Sequence, residues 1–257
     1  MPERSTRHRY GLVSDLGSIA ARAQRALHAL DELLAALSTH NGPHTPTLDT
    51  TERVSEAFDR ELLYLTAVFD TFGRLFRRLH DGRAPKRNEP KTLYSPALIT
   101  SHVVDKYAAG EIVDRIVEHR SYAHITATLR NYIHEAVLPT GPVPSRGYGS
   151  ATTIAVNLDL LDDVELTQQQ ADQLGVWKAS TAILSAETTT VGDLATFAVT
   201  LMTTALDYVN TVIELILFHH PIAATADTHP LLGFAPQELH IPEPRPDELP
   251  IRSYFGW

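Results

Sequence analysis

TTERVSEAFDRELLYLTAVFDTFGRLFRRL, residues 50–79, decides the fold expected of this chain. Val54, Phe58, Leu62, Leu65, Phe69, Phe72, Phe76 and Leu79 follow one another at steps of three and four, which lines them up along one side of a helix. A seam this long and this aromatic is core, of the kind that packs helices of a bundle against each other. Thr50 or Thr51 is placed to cap its start, and Asp81-Gly82 to end it.

Working outward, Leu16, Ile19, Ala20, Ala23, Leu27, Leu30, Leu34 and Leu37 give a second helical stripe over 14–38, capped by Ser14 or Asp15 and closed by Asn41-Gly42-Pro43. Residues 1–10 read as a frayed arm. A third helix is expected over 96–117, either turning near His119 or running on through 118–135. Residues 139–149 (PTGPVPSRGYG) read as a loop. Alternation and β-branched residues over 152–160 indicate a short strand or hairpin arm. Asp162, Asp163 and Glu165 after it are taken as a solvated turn. Helices are expected again over 167–186, with Thr167 as cap and Leu174, Trp177 and Ile183 inward, and over 190–218, ending at His219-His220-Pro221. The fold class is therefore all-α: an antiparallel helical bundle with a short β-hairpin or strand insertion near 151–161. It forms one domain over 1–220, followed by an irregular, Pro-rich C-terminal tail over 221–257 that packs across a surface through Leu231, Leu232, Phe234, Phe255 and Trp257.

Composition narrows the chemistry. Apolar residues make up 43% of the 257, enough for a real core. Without cysteine there are no disulfides, thiolate metal sites or cysteine nucleophiles, which suits a reducing, cytoplasmic compartment. No secretory signal is visible at MPERSTRHRYG, and the most apolar run, 194–218, carries Asp207 and Glu214 and reads as a buried helix rather than a membrane span. A net charge of −9 argues against broad, charge-driven binding of nucleic acid but leaves room for a local basic site. The one dense basic run is Arg74, Arg77, Arg78, Arg83, Lys86, Arg87 and Lys91, with Arg83, Lys86 and Arg87 as candidates to guide a polyanion. There is no Gly-rich phosphate loop, no His-Glu-x-x-His and no Gly-x-Ser-x-Gly. No cofactor or metal is called for.

The candidate site lies in EHRSYAHITATLRNYIHE, residues 118–135, which carries one pattern twice: Arg120 four before His124, and Arg130 four before His134. On a helix each pair shares a face. At about 100° per residue, Arg120, His124, Ala127, Arg130, Asn131 and His134 fall on one arc, with Tyr122, Ile125, Leu129, Ile133 and Ala136 opposite. Guanidinium clamps an anionic phosphate, and imidazole is an acid or base near neutral pH. A solvated face is the plainer reading of the same residues.

Leu129-Arg130-Asn131-Tyr132-Ile133-His134-Glu135, on a polar helix face within a helical bundle, resembles the HEPN superfamily, whose motif is an Arg, often followed by Asn, with a His on the same helix. Three residues separate Arg130 from His134, where that family has four to six. The resemblance implies a metal-independent ribonuclease of a defence or toxin system, acting as a homodimer in which two motifs form one cleft. It implies that Arg130 holds the scissile phosphate, Asn131 orients the reacting groups and His134 is the general acid or base. Arg120 and His124, the first copy of the pattern, are candidates to bind substrate. RNA, and a protein partner such as an antitoxin, are the expected partners. The alternatives are a catalytically silent helical bundle that binds a partner protein and a small-anion or nucleotide binder that uses Arg120 and Arg130 without cleavage.

Overall fold

The computed structural model describes residues 2–38, 46–81, 110–145, 152–159, 166–180 and 188–219, all within one compact unit, Met1–His220. In chain order they form α1 (Pro2–Ser38), α2 (Leu48–Asp81), α3 (Gly110–Glu118), α4 (Arg120–Ile133), β1 (Thr140–Pro144), β2 (Thr152–Asn157), α5 (Gln168–Gln173), β3 (Val176–Ser180), β4 (Thr188–Asp193) and α6 (Leu194–His219). The acidic trio 162–165, Ile183, the basic residues Arg83, Lys86 and Arg87, and the proline-rich extension lie outside the described residues.

The all-α expectation is corrected. The chain is mostly helical but carries a four-stranded antiparallel sheet in the order β1-β2-β4-β3. Only β2 falls where a strand was expected. The helix foreseen over 167–186 stops after two turns: Thr167 and Gln170 form a capping box, and Gly175 then takes φ +63, the left-handed conformation that ends helices. Trp177 thus sits on a strand. The segment given to the start of the 190–218 helix is β4, because Thr188, Thr189, Thr190 and Val191 are four β-branched residues in succession. Asp193 marks the change to helix, accepting from the Thr196 backbone N–H at 3.0 Å and its hydroxyl at 2.8 Å.

β1 lies inside the segment read as a loop, in spite of Pro142 and Pro144. Asn157 donates its N–H to the Pro139 carbonyl, so in this register residues 141 and 143 bond to β2, while positions 142 and 144 turn their absent donors away from the sheet. An edge strand tolerates that. One sheet face packs on the helices: a Cβ on Gly192 would meet the Phe197 ring at 2.8 Å, and Ser55 of α2 hydrogen-bonds Thr140. On the other face Val143 and Trp177 pack over buried Ala155, Ala179 and Val191. The edge strands β1 and β3 approach each other, so the sheet curls around this small cluster.

The α2 seam is core as expected, with Val54, Phe58, Leu62, Leu65, Phe69 and Phe72 buried. Each such side chain contributes about 1.5–3 kcal/mol by leaving water. α1 runs antiparallel to α2, since Arg22 reaches Ala67 and Thr71 while Glu32 pairs with Arg60. It begins at Pro2 rather than near Ser14, with the proline in the first-turn position where its missing N–H is harmless. α2 likewise starts earlier than Thr50, with the Thr47 hydroxyl accepting from the Thr50 N–H at 3.2 Å. α2 and α6 run in the same direction, which corrects the antiparallel reading for this pair: Phe58 meets Phe197 at 6.1 Å between ring centres, and Phe69 meets Tyr208 at 4.9 Å. Among the described residues no helix is long and apolar enough to cross a membrane.

Candidate functional site

The chain turns at His119, and this turn sets where the Arg/His helix begins. His119 has φ −75 and ψ −9 and gives α4 no side-chain cap. What fixes it is tertiary contact. Its ring is buried edge-on against Tyr208 at 6.0 Å, and Nε2 lies 3.3 Å from Asp207 Oδ2 on α6. Burial pulls its imidazole below the ordinary range; the Asp207 and Glu118 carboxylates oppose this, and Arg115 adds to it. Arg115 of α3 is itself paired with Glu214 of α6. The far side of α4 is held by α5. Tyr122 Oη donates to Gln173 Oε1 at 2.7 Å, and Gln170 Nε2 donates to Ser121 Oγ at 2.7 Å. Burial raises the Tyr122 phenol above its usual range.

With both flanks held, α4 buries Tyr122, Ala123, Ile125, Thr126, Ala127 and Leu129. Arg120, His124, Asn131 and His134 are exposed and Arg130 is half-buried. The expected arc is therefore resolved into two lines. Arg120, His124 and Asn131 stand outermost; Arg130 and His134 lie roughly 60–100° round the helix, on the flank beside buried Ala123 and Ala127. His134 is the C-cap, still helical at φ −73 and ψ −18, so it stays one turn beyond Arg130. Among the described residues none of these five side chains makes a hydrogen bond or ion pair.

Of the basic run, only Arg74 has a described side chain. Its Nη2 donates to Thr71 Oγ1 at 3.0 Å, and Arg22 Nη1 donates to the same oxygen at 2.8 Å from α1. The sequence pointed to neither His119 nor Arg22. His119 adjoins the Arg/His pattern but falls off its arc, and Arg22 reaches Thr71 only through the pairing of α1 with α2. Among the described residues no group of three or more His, Asp or Glu is placed to hold a metal ion. The site is thus an exposed cationic helix face on a buried, doubly held base. Compared with protein-family models, with curated proteins and with solved structures, the chain matches none.

Proposed function

We propose that the α4 face binds single-stranded RNA and cleaves it without a metal ion, in the manner of the HEPN ribonucleases of defence and toxin systems. The observation that supports this is the exposure together of Arg120, His124, Asn131 and His134 beside half-buried Arg130, with no described neighbour engaging them. Arg130 holds the scissile phosphate, where its guanidinium offsets the charge that grows on the phosphorane oxygens. His134 takes the proton from the 2′-hydroxyl as its oxygen attacks phosphorus, and Asn131 orients the reacting groups. The bond to the 5′-oxygen breaks, that oxygen gains a proton, and the products are a 2′,3′-cyclic phosphate and a 5′-hydroxyl. A homodimer joining two α4 faces supplies a second imidazole for the leaving oxygen.

Incubation with single-stranded RNA in EDTA tests the reading: cyclic-phosphate ends are expected. His134→Ala should lower the rate by roughly 10²–10⁴, and Arg130→Ala comparably. Arg120→Ala and His124→Ala should lose less. Melting temperatures should stay at the wild-type value, because these side chains make no hydrogen bond or ion pair among the described residues. The second reading, a silent bundle that binds a partner protein, draws on Val137, which follows the motif and is 81% exposed. A monomer in sedimentation that leaves varied RNAs intact would favour it over the nuclease.

A further inference from the structure

At the α1–α2 interface, away from the α4 face, two arginines converge on one buried hydroxyl. Thr71 is fully buried; its Oγ1 donates to the Ala67 carbonyl at 2.7 Å and accepts from Arg22 Nη1 at 2.8 Å and from Arg74 Nη2 at 3.0 Å. Arg22 also donates to the Ala67 carbonyl at 3.0 Å. Nothing in this group carries negative charge. Among the described residues no carboxylate pairs with either guanidinium, and Arg74 Nε is buried with no hydrogen-bond partner. Two other described arginines of these helices are matched: Arg60 pairs with Glu32, and Arg25 lies over the Tyr64 ring at 5.9 Å. Two like charges held to one neutral oxygen repel each other, and an orphaned buried N–H adds a donor without an acceptor. An anion with several acceptor oxygens removes both deficits. Phosphate suits best, since the guanidinium fork matches its oxygens and the other N–H groups of both arginines bond nothing among the described residues.

We infer that Arg22 and Arg74, aligned by Thr71, form a phosphate-binding site between α1 and α2. The group bound is either free phosphate or a phosphodiester of a single-stranded RNA. The site does not depend on the activity assigned to α4. Titration of the intact protein with inorganic phosphate at constant ionic strength, against chloride, tests it by melting temperature and calorimetry. The expected result is a saturable rise in melting temperature that chloride does not give. Arg22→Gln and Arg74→Gln should each weaken phosphate binding about ten-fold or more, while Arg60→Gln leaves it unchanged. An RNA oligonucleotide that displaces phosphate identifies a phosphodiester as the natural group; one that does not identifies the free anion. Both results uphold the site. No phosphate-specific heat or stabilisation in the wild-type protein overturns the site whether or not the variants fold, and so does undiminished binding by both glutamine variants.

Discussion

Glu61 on α2 and His119 between α3 and α4 are both buried ionisable groups of one helical core, and their surroundings differ. Glu61 is fully buried on the α2 stripe that also carries Phe58, Leu62 and Leu65, and neither carboxyl oxygen has a hydrogen-bond partner among the described residues. Burial pushes that carboxyl well above the usual carboxylate range. His119 has Asp207 at 3.3 Å and the Tyr208 ring at its edge, and burial pulls it down against the opposing carboxylate. Burial suppresses the charged form in both cases, so it raises the acid and lowers the base. Acidity therefore acts on them in opposite senses. The Glu61 contribution to stability is present below the ordinary carboxylate range and is lost as pH rises towards the raised folded value, because only the unfolded chain ionises freely. The His119 contribution is present above the ordinary imidazole range and is lost as pH falls through the lowered folded value.

The largest effect is expected where the two surroundings can be separated. Phe69 lies 4.9 Å from Tyr208, which in turn meets His119, so Phe69→Ala opens a cavity on the His119 side of the core. The loss should be about 3–5 kcal/mol in urea unfolding. Water entering that cavity should also return the His119 titration midpoint, read by NMR, towards the ordinary imidazole value. A midpoint that does not move would show that the aromatic cluster is not what desolvates the ring.

Next in size is Glu61→Met, which keeps the side-chain length and removes the orphaned oxygens. A gain of about 1–3 kcal/mol is expected near pH 8, shrinking as the pH is taken down to 5. Equal or lower stability at pH 8 would mean that the carboxyl has found a partner, and the contrast with His119 would collapse. The smallest effect belongs to His119→Gln. It should flatten the fall in wild-type stability below pH 6.5, a slope no steeper than about 1.4 kcal/mol per pH unit for one proton. A variant with an unchanged slope would assign that fall to other groups.

The legible parts of this molecule were those fixed by local pattern. The α2 seam could be read because period, length and aromatic content agree over seven turns. The exposed residues of α4 could be read because a helix face needs no partner to define it. What escaped depends on distant chain. Leu174, Trp177 and Ile183 have helical spacing, and only the left-handed Gly175 reveals that the segment breaks there. The prolines of β1 look like loop until β2 is laid beside them. Arg130 stands at one end of the arc on an ideal wheel, and that it is half-buried there depends on what packs beside the helix. Thr71 drew no notice because the arginine that reaches it from α1 is 49 residues away in sequence.

The two prolines of β1 bear on how this protein behaves at high concentration. A free strand edge is a template on which a second chain can add, and growth of that kind leads to fibrils. In β1 the outward positions 142 and 144 have no N–H to offer, so an incoming strand finds acceptors without the matching donors. Replacing both prolines by threonine would restore a complete ladder edge on a curled sheet, and with it a tendency to aggregate that has nothing to do with unfolding.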